Sequence, residues 1–143
     1  MGGNINMSTL IAYGSNRGIT KDIAILLSNK LNSEVDVRNI KHNSSFYIDK
    51  YENILMGINL VDGKISNEVN KFIENNIEDL KFKKLGFFTV NKDKNQVEFI
   101  DENLPQEFKS LISFKENLEA DKTEQIESFT NTLNNNLVES YIY

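Results

Sequence analysis

Ser15 and Thr20 are the side chains of this sequence best placed to do chemistry. They open and close the run Ser15-Asn16-Arg17-Gly18-Ile19-Thr20, which follows the apolar stretch Leu10-Ile11-Ala12-Tyr13 and leads straight into a helical pattern. A buried strand ends there, the chain turns sharply, and a helix begins. Such a turn can aim several backbone N–H groups and both hydroxyls at one spot, and the positive end of the helix dipole reinforces that spot. It suits a phosphate. The plainer alternative is an ordinary strand-to-helix turn in which Thr20 only caps the helix.

Other chemistries lack material. There is no cysteine and one histidine, His42, so disulfides, thiolate zinc and iron–sulfur ligation are excluded and a histidine triad has little to draw on. Glu102, Glu107, Glu116 and Glu119 share no recognisable pair geometry, so no catalytic residue and no metal ligand is assigned. A formal net charge of -5 argues against nonspecific nucleic-acid binding and favours basic protein partners or simple solubility. No apolar run approaches the roughly 18–20 residues that cross a bilayer. The first residues have neither the basic segment nor the apolar core of a secretory signal. Together with the missing cysteines, this leads us to expect a cytoplasmic protein.

Something must hold the turn from Ser15 to Thr20 in place. At 143 residues, 39% hydrophobic and 26% charged, the chain has the size and composition of one globular domain. We place that domain at residues 7–143, with residues 1–6 as a disordered or non-native extension. Thr9 to Tyr13 reads as a buried strand, followed by a helix on which Ile19, Ile23, Ala24, Leu27 and Leu31 recur. Val35, Val37 and the nearby Ile40 suggest a second strand, and Asn53 to Ile58 a third. A helix then carries Ile65, Val69, Phe72, Ile73, Ile77 and Leu80 on one face, with Ser66 as its N-cap. Leu85 to Val90 is a fourth strand. Val97, Ile100 and Leu104 suit one short helix ended by Pro105. Leu111 to Phe114 is a fifth strand. Asp121 and Glu124, at capping-box spacing, open a last helix that turns Ile126, Phe129, Leu133 and Leu137 inward.

Strands alternating with helices imply an α/β protein, a doubly wound parallel sheet with helices on both faces. Ligands of such sheets bind at the carboxyl ends of the strands, beside the switch in strand order. If the first and third strands flank that switch, the loops that matter are Gly14 to Thr20, Gly57 to Ile65, and Val90 to Gln96.

These residues resemble the flavodoxin family over nearly the whole chain, from Met7 to Leu137. The run from Ser15 to Thr20 is similar to that family's hydroxyl-rich phosphate loop. Tyr51-Glu52-Asn53-Ile54-Leu55-Met56-Gly57 is similar to its third strand and the start of its second flavin loop. The stretch from Lys83 to Asn91 is similar to its fourth strand, most closely in the branch that contains the flavodoxin-like protoporphyrinogen oxidases.

The resemblance implies a five-stranded sheet in the order 2-1-3-4-5 and FMN as the cofactor. It implies that Ser15, Asn16, Arg17, Gly18, Ile19 and Thr20 surround the flavin phosphate, with Arg17 adding a charge-assisted contact. Gly57 and Ile58 then begin the second loop, where Gly57 lets backbone approach the ring. Asn59 can hydrogen-bond the cofactor, and Leu60 or Val61 can cover one ring face. Asp62-Gly63 corresponds to a peptide that rotates on reduction, in a turn whose third residue needs positive φ. Backbone groups at Val90 and Asn91 correspond to those that read the pyrimidine edge. An ordinary surface turn accounts equally well for the second loop, and a solvated loop for Asn91 to Gln96. Arg17 and Ile19 stand where the family commonly has Thr and Asn, and no Trp or Tyr is present in the second and third loops to stack on a ring.

Three functions are compatible with this. The leading one is an FMN protein that carries electrons between redox partner proteins. The second is a flavodoxin-like oxidoreductase acting on a porphyrinogen or a quinone, which the match from Phe87 to Asn91 supports and the absence of a substrate-side insertion opposes. The third is a cofactor-free binding or regulatory domain of the same fold, suggested by Ile19 and the missing ring-stacking aromatics. The oligomeric state is not legible in the sequence.

Overall fold

Leu10, Ile11 and Ala12 are neighbours in the chain and all three are fully buried, because the strand that carries them lies inside a sheet covered on both faces. A computed structural model describes residues 8–14, 18–41, 47–92 and 94–139, with side chains followed as far as residue 135. Ser15, Asn16, Arg17, His42 and the side chain of Leu137 lie outside the described residues, as does the proposed extension at residues 1–6.

The elements run β1 (Ser8–Tyr13), α1 (Gly18–Lys30), β2 (Glu34–Asn39), β3 (Asn53–Gly57), β4 (Leu60–Val61), β5 (Lys64–Ile65), α2 (Asn67–Leu80), β6 (Lys84–Val90), α3 (Val97–Asn103), α4 (Gln106–Lys109), β7 (Ile112–Leu118) and α5 (Thr123–Glu139). Five strands form one parallel sheet in the order β2-β1-β3-β6-β7, while β4 and β5 pair antiparallel as a separate hairpin. Leaving the hairpin aside, this is the expected order 2-1-3-4-5.

Alternation along the strands divides the interior in two. Leu10, Ala12, Ile54, Met56, Leu85 and Phe87 pack with Val69, Phe72, Ile73 and Leu80 of α2, Ile100 of α3 and Phe108 of α4. Ile11, Tyr13, Leu55, Phe88 and Val90 pack on the other face with Ile23, Ala24 and Leu27 of α1 and Ile126, Phe129 and Leu133 of α5. Ser66 caps α2 as its sequence suggests, its Oγ accepting from the Val69 N–H at 3.3 Å.

Some elements depart from the expectation. Ile65 belongs to β5 rather than to the α2 face, although it buries in the same cluster. The hairpin that holds it turns at Asp62 and Gly63, whose φ values are 52° and 75°. Two positive φ values in a two-residue connection are the signature of a type I′ turn, not of a turn that needs only its glycine left-handed. Pro105 ends α3 as expected, but a further short helix, α4, follows it. β7 begins one residue later than expected and runs on to Leu118, because its far end, Asn117-Leu118, stays in register with Thr89-Val90 of β6. α5 opens at Thr123 rather than at Asp121. Its first turn is tied instead by the Gln125 side chain, which accepts from the Glu119 N–H at 2.9 Å.

Candidate functional site

In the sheet β1, β3 and β6 are adjacent, with Tyr13 beside Gly57 and Gly57 beside Phe88. From β1 the chain crosses to β2 on one side, and the next strand, β3, returns to the other. The loops after these strands therefore meet at one edge of the sheet.

The centre of that edge is Asn59, 6% exposed. Its Nδ2 donates to Thr20 Oγ1 in the first turn of α1. Its Oδ1 accepts from Thr89 Oγ1 at 3.3 Å and from the Val90 N–H at 3.4 Å. A backbone N–H can only donate, so the carboxamide oxygen must face β6 and the NH2 must face Thr20. Thr20 thus accepts from Asn59. Its own hydroxyl proton has no acceptor among the described residues, although the side chain is fully buried.

The other expected site residues that are described lie along the three loops. Gly18 and Ile19 are exposed at the start of α1. Gly57 is buried, and its missing side chain has a local cause: an added Cβ would come within 2.9 Å of the Phe88 ring and 3.1 Å of Tyr13 Cβ. Ile58 is fully buried, with its N–H donated to the Phe88 carbonyl at 2.9 Å. Leu60 is half-buried, while Val61, at 59% exposed, offers an apolar surface at the mouth of the edge. Asp62 and Gly63 form the exposed tip of the hairpin.

The third loop uses many of its polar groups internally. The Val90 N–H goes to Asn59. The Asn91 N–H donates to the Leu118 carbonyl at 3.2 Å, and its carbonyl accepts from Asn117 Nδ2 at 3.1 Å. Its side chain bonds Gln96 Oε1 at 3.1 Å and the Lys94 N–H at 3.1 Å.

A cavity of about 410 Å³ opens beside the hub, lined by Gly14, Lys41, Asn59, Leu60, Val61 and the run from Lys64 to Glu68. Its volume is within the range of small-molecule sites, roughly 300–1,000 Å³. Lys41 and Lys64 bring positive charge to its wall, and Glu68 a negative one. Sequence reasoning gave no role to Lys41, Lys64, Thr89 or Asn117, although Lys64 lies in the second loop and Thr89 in the fourth strand that it singled out. Among the described residues no group of acids and histidines could hold a metal, and no helix is long and apolar enough to cross a membrane.

The groups with shifted titration lie lower in the sheet. Tyr51 Oη donates to Asp36 Oδ2 at 2.5 Å, and Lys50 Nζ lies 3.3 Å from the same oxygen. The Tyr51 hydroxyl, opposed by burial and aided by Lys50, holds the Asp36 carboxyl below its ordinary value, while burial and the bond to Asp36 push the Tyr51 phenol up.

A flavodoxin-domain sequence profile matches residues 10–134. The chain belongs to the flavodoxin family. No curated protein sequence shows a significant match. Solved structures reproduce the fold at low identity. Flavodoxin 2 from Bacillus cereus, in its oxidised form, is 24% identical with a TM-score of 0.64, covering 94% of this chain and 99% of its own. A flavodoxin from the domain Archaea is 15% identical with a TM-score of 0.67, covering 94% and 98%. The two-electron reduced flavodoxin of Megasphaera elsdenii is 14% identical with a TM-score of 0.70, covering 89% and 98%. At these identities the likeness is one of fold, and the residues of this flavodoxin domain must speak for its chemistry.

Proposed function

We propose that this flavodoxin domain binds FMN at the carboxyl edge of its sheet and carries electrons between redox partner proteins. The observation that carries the reading is the buried Thr20 hydroxyl at the opening turn of a helix, which has no acceptor for its proton among the described residues and is held by Asn59, itself part of the lining of a cavity of about 410 Å³. A donor with no acceptor among the described residues is what a phosphate ester would engage, and this supports the fit of the group to the edge. In this reading Thr20 donates to the phosphate together with Ser15, and Asn16, Gly18 and Ile19 supply backbone N–H groups. Arg17 adds a cation. Val61 and Leu60 cover one face of the ring. The flavin itself supplies the one- and two-electron chemistry when bound.

For a carrier, the protein has little more to do than bind, orient and expose. Ile19, 37% exposed, and Val61 place apolar surface beside the mouth, and the net charge of -5 favours a basic docking face on the partner. The FMN-loaded protein, reduced and mixed with a basic haem protein such as cytochrome c, should pass on its electrons in a second-order reaction that slows as salt rises. Failure to reduce the haem protein at any ionic strength contradicts the carrier role. The internal use of the Ile58, Val90 and Asn91 N–H groups favours a second reading, a cofactor-free binding domain, and direct FMN titration separates the two.

A further inference from the structure

We infer that Asn59 is a positioning residue that sets the direction of the Thr20 hydroxyl, and that the preference for a phosphorylated over an unphosphorylated flavin depends on it. The inference rests on the FMN reading above. A threonine hydroxyl has one proton and two lone pairs, and in isolation it serves a phosphate and a competing protein acceptor equally well. Here the choice is made by residues far away in the chain. The Val90 N–H and Thr89 Oγ1 both approach Asn59 Oδ1, so the amide cannot turn round without setting a donor against a donor. The NH2 is therefore fixed toward Thr20 Oγ1 and occupies one of its two lone pairs, so Asn59 cannot take the proton, which stays available to a ligand. The same side chain ties α1 to the end of β6, so the phosphate end and the ring end of the edge share one buried hub.

Asn59→Asp tests this with almost no change in shape. The ionised carboxylate still accepts from Val90 and Thr89, but its second oxygen can only accept, so it captures the Thr20 proton. Thr20 then faces a phosphate with lone pairs. Once protonated, the introduced carboxyl can donate to Thr20 and restore the original direction. The measured quantity is the ratio of riboflavin to FMN dissociation constants. In the wild type FMN is expected to be preferred. At pH 8, Asn59→Asp should lower the ratio by about tenfold or more, the value of one hydrogen bond to a charged group. The ratio should recover toward pH 5, relative to a wild-type titration in the same buffers. In a Thr20→Val background the recovery should shrink to what relief of carboxylate–phosphate repulsion gives, because there is no hydroxyl left to direct.

Should Asn59→Asp fail to fold, Asn59→Ala asks the same question. It frees the hydroxyl to rotate and should lower the ratio severalfold, while Thr20→Ser should keep it. A wild type that prefers FMN, with an Asn59→Asp or Asn59→Ala variant that keeps the full preference at pH 8, overturns this inference alone. Recovery at low pH that is undiminished without the Thr20 hydroxyl overturns it as well. A wild type with no affinity for FMN overturns the FMN reading and this inference with it.

Discussion

Asn117, on the edge strand β7, donates through Nδ2 to the backbone carbonyl of Asn91 at 3.1 Å and so fastens the loop after β6 to the rim of the sheet. The bond is partly buried, and the Asn117 Oδ1 has no partner among the described residues. Loops that close a ligand edge are drawn from the least stable parts of a fold, and a side-chain clamp of this kind restrains one. Asn117→Ala should cost about 1 kcal/mol of global stability, because it strands one buried carbonyl. It should speed amide hydrogen exchange at Asn91 and Lys92 more than at β1 or β3. Unchanged exchange in the loop would mean that the clamp restrains nothing.

Gly57 is excluded from bearing a side chain by Phe88 and Tyr13 rather than by a ligand. Gly57→Ala should therefore destabilise the protein in the absence of any flavin, by about 1–3 kcal/mol as overpacked cores do. A thermal or denaturant melt of the cofactor-free protein checks it. A neutral result would return the glycine to a purely ligand-related role.

The hairpin turn offers a test of local conformation. Gly63 has φ 75° with open space around its Cα, so Gly63→Ala meets a backbone penalty and no collision. It should cost about 1 kcal/mol. Asp62, at φ 52°, should accept Asn with little change, since both tolerate the left-handed region. Equal costs for the two substitutions would argue against a type I′ turn.

Stability should depend on pH through Asp36. Its folded pKa lies below the ordinary carboxylate value, so its contribution is present above about pH 4, the unfolded range, and is lost as pH falls toward the folded value. Asp36→Asn should flatten this acid limb. For Tyr51 the sign is opposite: a raised phenol pKa contributes stability below about pH 10 and loses it as pH climbs through the folded value. Melts of wild type and Asp36→Asn between pH 3 and pH 7 that fall in parallel would exclude the pair as the cause.

Much of the architecture was legible because parallel strands buried on both faces leave continuous apolar runs, as at Leu10 to Tyr13 and Leu85 to Val90. The amphipathic face from Val69 to Leu80 was equally plain. The hairpin was not, because two strands of two residues each carry no periodicity to read. The polar end of β7 was missed for a related reason: Lys115 to Asn117 continue the strand through pairing with β6, which local composition does not encode. Within the site, Thr20 could be picked out from its place after the first strand. The partners of Asn59 could not, since residues 20, 59 and 89 are brought together only by the register that sets Tyr13 beside Gly57 and Gly57 beside Phe88.

The central claim is that this carboxyl edge seats a flavin nucleotide. The visible absorption spectrum of the purified protein, taken after incubation with FMN and exhaustive desalting, tests it most directly. The account predicts flavin bands that stay with the protein and are shifted from those of free FMN. A colourless protein, with all of the added FMN recovered in the small-molecule fraction, would contradict it.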